Sequence, residues 1–107
     1  MPQTAGKIAA DKADHGAHGE KLLVSGDRLS LRLWKASPSD GGDEPYRAGH
    51  ESLGYVVSGR ARLEIEGQEI RLEPGDSWLV PEGARHRYRI DEPFTAVEAT
   101  ANDGPGG

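Results

Sequence analysis

Between residues 21 and 100 the chain alternates apolar and polar residues in short runs, broken by glycine, proline and acidic residues. A period of two marks a β-strand with one covered face and one solvated face. Residues 21–25 form the first predicted strand, turned by Gly26-Asp27. Across 28–34, Leu29, Leu31 and Leu33 fall on one face and Arg28, Ser30 and Arg32 on the other. A polar loop, 37–45, leads into a longer extended segment, 46–58, and Gly59-Arg60 turns the chain. Ala61, Leu63 and Ile65 then face one way, and Arg62, Glu64 and Glu66 the other. Gly67-Gln68 is the expected hairpin turn, after which 69–72 returns. Residues 73–76 turn again, 77–80 form a short strand, and 81–84 turn once more. Along 85–90, His86, Tyr88 and Ile90 share one face and three arginines the other; residues 94–100 form the last strand. No helical period and no internal repeat is visible. About eight short strands separated by turn signals predict an all-β sandwich or barrel.

Composition narrows this picture. The chain has 107 residues, enough for one domain with one modest core. Fifteen glycines and seven prolines suit a fold of many tight turns. Residues 1–20 hold almost nothing to bury and are expected to be a flexible N-terminal arm; 21–101 make the barrel and 102–107 a disordered tail. The net charge of −5 argues against a nucleic-acid partner, which needs a basic face. Arg85, Arg87 and Arg89 read as the solvated face of a strand rather than an anion patch. Cysteine is absent, which excludes disulfides, thiolate metal sites and cysteine nucleophiles. No apolar run approaches the roughly 18 residues of a membrane span. The N-terminus lacks the apolar stretch of a secretory signal, so the expected location is the cytoplasm.

The segment from Gly59 to His86 carries a resemblance. Gly75, Pro81, Gly83 and His86 follow the spacing Gly, five residues, Pro-x-Gly, two residues, His. This resembles the second motif of the cupins, and the chain is identified as similar to small single-domain bacterial members, with the resemblance covering residues 28–100. It implies an antiparallel double-stranded β-helix, or jelly-roll barrel. The family's first motif is His-x-His, three or four residues, Glu, six residues, Gly. Gly59 fits its last position, but the Glu position is Ser52 and the two His positions are Tyr46 and Ala48. Three of the four metal ligands that the resemblance implies are therefore replaced.

Candidate site residues follow from strand parity. Tyr46, Ala48, His50, Ser52, Gly54 and Val56 would share a face if the strand ran unbroken. Ligand-binding candidates are thus Tyr46, His50, Ser52, Gly54, His86 and Tyr88, with Gly54 and Ala48 small enough to leave room inside. His86 is the best catalytic candidate, because an imidazole titrates near neutrality. A shift of register near Gly49 would bring His50 to His86, giving a rearranged metal site with Tyr46 or Glu51 as third ligand. His50 beside Glu51 also reads as a surface pair, and His86 as a hydrogen-bonded core histidine. Trp34 and Trp78 read as rim or core aromatics, and His15 and His18 as polar residues of the arm.

Three functions fit these residues. The first is a stand-alone cupin that binds a small molecule in its lumen without a conventional metal. The second is a metal-dependent enzyme of dioxygenase or isomerase type, using iron, manganese, zinc or nickel at His50 and His86. The third is a structural module with a sealed barrel. The resemblance also implies a homodimer, with residues 1–27 supplying an exchanged edge strand. The lack of a Gly-x-Ser-x-Gly elbow and of a third triad member argues against a serine hydrolase. No glycine-rich loop opens a helix to cradle phosphate.

Overall fold

The structure is a computed structural model that describes residues 5–15, 20–38, 46–47 and 49–102, with 46 and 47 described through their backbone. The strands are β1 (Asp14–His15), β2 (Lys21–Ser25), β3 (Leu29–Ala36), β4 (Tyr46–Arg47) and β5 (Ser52–Ser58). They continue with β6 (Ala61–Ile65), β7 (Gln68–Leu72), β8 (Ser77–Val80), β9 (Arg85–Ile90) and β10 (Phe94–Ala101). A 3-10 turn, Ala10–Lys12, precedes β1. The expectations placed on His18, Ala48, most of the 37–45 loop and the 103–107 tail lie outside the described residues.

All pairings among the described strands are antiparallel. One sheet runs β1-β2-β3-β10-β5-β8 and the other β4-β9-β6-β7. The two sheets close over one core, in which Val56, Leu63, Leu72, Val80, Phe94 and Ala96 are fully buried. The predicted alternation holds where both neighbours are long: Ala61, Leu63 and Ile65 are buried, with Arg62 and Glu64 between them on the outer face.

Two details differ from the sequence reading. Residues 46–58 are not one strand. Tyr46–Arg47 pairs with β9 in one sheet, and Ser52–Ser58 pairs with β10 and β8 in the other. Gly49 and His50 form the bend between them, so side-chain parity does not carry across it. The β6–β7 hairpin turns at Glu66-Gly67, one residue earlier than expected, with both residues at positive φ. Two such residues in a two-residue loop match the right-handed twist of the strands, which leaves Gln68 free to pair with Ile65.

Gly59 shows why the β5–β6 corner needs glycine. Its φ is +85°, and a Cβ there would lie 1.9 Å from the Pro93 carbonyl oxygen. The turn between β9 and β10 therefore passes directly against this corner.

The outer faces of the two sheets differ in chemistry. On the smaller sheet Glu64 accepts from Arg87 Nε at 2.5 Å and from Arg89 Nε at 2.6 Å. The hydrogen bond from Arg87, then that from Arg89, holds the Glu64 carboxyl below its ordinary range. The strand-face arginines thus sit in a mixed-charge network. On the larger sheet the outward rows are apolar. Leu31, Ala99, Leu53 and Leu79 lie side by side in register, next to Leu33, Val97 and Tyr55. Leu53, Tyr55 and Leu79 are about half exposed.

Candidate functional site at the barrel mouth

The inward rows change character at one level. Along β10 the row is Phe94, Ala96, Glu98, Thr100, passing from apolar to polar. Its register partners on β3 are Ala36, Trp34, Arg32 and Ser30. On β5, Val56 lies beside Ala96, Gly54 beside Glu98 and Ser52 beside Thr100. On β9 the row runs Ile90, Tyr88, His86. Four strands thus switch together, and this level presents Arg32, Ser52, His86 and Glu98, with the buried Val80 beside Ser52 and Ile65 beside His86.

The apolar part of the lumen is closed by aromatic rings. Trp34 and Tyr88 meet edge to face at 5.2 Å, and Trp34 lies 5.2 Å from Phe94. Trp78 stands 6.2 Å from Tyr88, and its Nε1–H donates to Tyr88 Oη at 3.0 Å. Such edge contacts suit the charge distribution of the rings. Gly54 does not leave open room, as its size suggested. A Cβ there would lie 2.3 Å from Trp78 ring carbons, so the indole fills that space.

His86 sits on the boundary. It is buried, with its ring 5.6 Å from Tyr88 in an edge contact. Its Nδ1 lies 3.0 Å from the Ala84 carbonyl oxygen. A carbonyl only accepts, so Nδ1 carries the hydrogen and Nε2 is the basic nitrogen of the neutral ring. The Pro81-x-Gly83 turn therefore does two things: it starts β9 with His86 inward, and it supplies the oxygen that orients the imidazole.

Glu98 is the most perturbed acid of the mouth. Burial pushes its carboxyl up, opposed by the Arg32 charge, a Ser52 hydrogen bond and the His86 ring, while Glu20 pushes it further up. Arg32, Ser52, His86 and Glu20 come from β3, β5, β9 and the segment before β2, so the strands converge on this carboxyl.

The sequence-derived candidates divide accordingly. Ser52, His86 and Tyr88 lie on the inward rows of the mouth or its aromatic floor, and Gly54 lies beneath Trp78. Tyr46 is described through its backbone, which pairs with His86. His50 is half-buried at the bend, and Glu51 is exposed, its carbonyl accepting from Thr100 Oγ1 at 3.3 Å. Arg32 and Glu98 were not among the candidates. Their signal was present in the alternation, since each stands two residues from an inward aromatic or alanine. Hydrophobicity alone favours turning the leucine row of β3 inward, and the structure turns it outward.

Among the described residues the donor set does not fit a conventional divalent centre. Among the described residues no group of three or more His, Asp or Glu is placed to hold a metal ion. Ser52, at the position of the motif's Glu, offers only a neutral hydroxyl, a poor ligand for a divalent ion. No helix among the described residues is long and apolar enough to cross a membrane.

An antiparallel jelly-roll barrel with a histidine after Pro-x-Gly and a polar mouth defines the class of protein. A sequence model of the cupin domain matches residues 32–99, and the chain belongs to the cupin family. It is 32% identical over 93 residues to quercetin 2,3-dioxygenase of Bacillus subtilis, covering 74% of this chain and 27% of that protein. An uncharacterized protein of Aquifex aeolicus is 39% identical over 44 residues, 41% of this chain and 36% of that one. The chain thus spans roughly a third or less of the curated relatives it matches. The fold is shared with KdgF from Halomonas sp., at a TM-score of 0.80 and 23% identity, covering 96% of this chain and 98% of that one. It is also shared with the polyketide cyclase RemF from Streptomyces resistomycificus, at a TM-score of 0.77 and 17% identity, covering 95% and 82%.

Proposed function

We propose that the chain is a binding cupin that takes a small organic molecule at the mouth of its barrel, without a conventional metal centre. The observation that carries this reading is the simultaneous change from apolar to polar on β3, β5, β9 and β10. Buried polar groups cost stability unless they are partnered, so a polar level inside the barrel is retained where it has a use. His86 contributes an imidazole, Ser52 a hydroxyl, and Arg32 and Glu98 a cation and an acid. Tyr88 and Trp34 form the floor. The apolar part beneath gives these groups fixed positions, which lowers the ordering cost on binding.

The test is a thermal-shift screen of small organic molecules on untagged, chelator-treated protein, with metal content measured by mass spectrometry. A ligand present at about 100 times its Kd stabilises by about 2.7 kcal/mol. Stabilising molecules that act after chelation and fail on His86→Ala support the reading. Near-stoichiometric metal in the wild type, lost in both His50→Ala and His86→Ala, would establish the rearranged metal site instead.

A homodimer is a second proposal, supported by the outer face of the larger sheet. Its rows Leu31-Ala99-Leu53-Leu79 and Leu33-Val97-Tyr55 form a continuous apolar surface, and such surfaces mark association sites. A two-fold axis lets one such face cover its own copy. The charged outer face of the smaller sheet has no comparable apolar rows among the described residues.

A further inference from the structure

We propose that the molecule bound at the mouth is a small organic carboxylate, gripped by the Arg32 guanidinium at the polar level of the lumen. This rests on the reading of the mouth as a binding site and adds the class of ligand.

Arg32 lies on an inward row, between Trp34 and Ser30 and beside Glu98 in register. It is half-buried, and the residues on either side of it in the chain, Leu31 and Leu33, point the other way. Its neighbour Glu98 feels the Arg32 charge, which opposes the effect of burial on that carboxyl. Among the described residues no ion pair closes on the Arg32 guanidinium. Its donors therefore remain for a further acceptor. A guanidinium carries them in a flat fork that matches the two oxygens of a carboxylate, and it stays charged at every relevant pH.

Net charge alone does not select the ligand, because Glu98 and Glu20 oppose Arg32. The fork does. Burial already pushes the Glu98 carboxyl toward its protonated form, so a second carboxylate meets less repulsion there than an ordinary ionised pair would produce. The aromatic floor limits size. Trp78 fills the space over Gly54, and Trp34 and Tyr88 present edges and faces to whatever sits above them. A flat or short acid fits this better than a long chain.

The test uses benzoate, benzamide and benzylamine, with acetate, acetamide and ethylamine as the short series. The full chain has two tryptophans, so two indole N–H signals report binding by NMR titration. Benzoate is expected to shift the Trp34 signal saturably and to bind at least about tenfold more tightly than benzamide or benzylamine, the loss expected when a charged hydrogen-bond partner is removed. Arg32→Lys, which keeps the charge and loses the fork, is expected to fall between wild type and no binding. Because Arg32→Gln leaves Glu98 without its cation, Arg32→Gln/Glu98→Gln serves as a second variant in which both charges of the pair are removed. Its melting temperature verifies folding, and it is expected to lose benzoate selectivity.

Equal or tighter binding of the amides or amines, or unchanged benzoate affinity in the folded double variant, overturns the carboxylate assignment and leaves the mouth as a binding site. Failure of all six probes to move either indole signal also overturns it, and the wider small-molecule screen then judges the site on its own.

Discussion

Gly54→Ala is the sharpest perturbation of the lumen. The added methyl would sit 2.3 Å from Trp78 Cζ2 and Cη2 and 2.6 Å from Cε2, well inside contact distance. The indole cannot retreat freely. It is nearly buried, packs against Tyr88 and Phe94, and donates to Tyr88 Oη. Overpacking of this kind costs about 1–3 kcal/mol. Displacing the indole adds the Trp78–Tyr88 hydrogen bond, worth about 1 kcal/mol. Against this, Gly→Ala stiffens the unfolded chain and returns about 0.4–1 kcal/mol. The net expectation is a loss of about 2 kcal/mol, which lowers Tm by about 8–16 °C in a domain of this size. Urea denaturation followed by circular dichroism measures it, and a double-mutant cycle assigns it. In a Trp78→Leu background none of the clashing ring atoms remains, so Gly54→Ala is expected to cost less than about 0.5 kcal/mol there. A Gly54→Ala protein within about 0.5 kcal/mol of wild type, or an equal cost in both backgrounds, refutes the claim that Trp78 closes the lumen over Gly54.

Two further outcomes are expected. Glu98→Gln should change how stability depends on pH. The folded carboxyl titrates above the usual value of about 4.3, so the folded state holds its proton longer than the unfolded chain. Stability then falls as pH rises from the ordinary carboxylate value through the raised folded value. The variant should be the more stable protein above that window and lose its advantage below it; parallel curves from about pH 3 to 8 would contradict the sign. Leu53→Lys, alone and with Leu79→Lys, should convert a dimer to a monomer in sedimentation velocity with little change in circular dichroism; a wild type that already sediments as a monomer at high concentration refutes the pairing of outer faces.

The fold was legible because its signals are local. Short alternating runs, Gly75, and the Pro81-x-Gly83 turn place strands and corners through neighbours in the chain, and His86 was placed with them. The mouth was legible in part. Ser52, His86 and Tyr88 follow from motif spacing and parity within one strand. Residues 46–50 did not follow, because the chain crosses from one sheet to the other at Gly49-His50 and parity restarts. Arg32 and Glu98 escaped for a different reason. A strand with leucines on one face and Ser30 and Arg32 on the other does not say which face is covered. Here the leucines lie on the outward face of the larger sheet, and the arginine row continues into Trp34 and the core. That choice is made by β10 and β5, distant in sequence and adjacent in register.

The decisive question is where a ligand sits. A crystal structure of the chain with a molecule that raises its melting temperature after chelation tests it most directly. The molecule is expected at the polar level of the lumen, within hydrogen-bond reach of Arg32 or His86 and above Trp34 and Tyr88. A molecule lodged instead on the outer face, in the cleft bordered by Ile8, Leu23, Leu29 and Ala99, would contradict it.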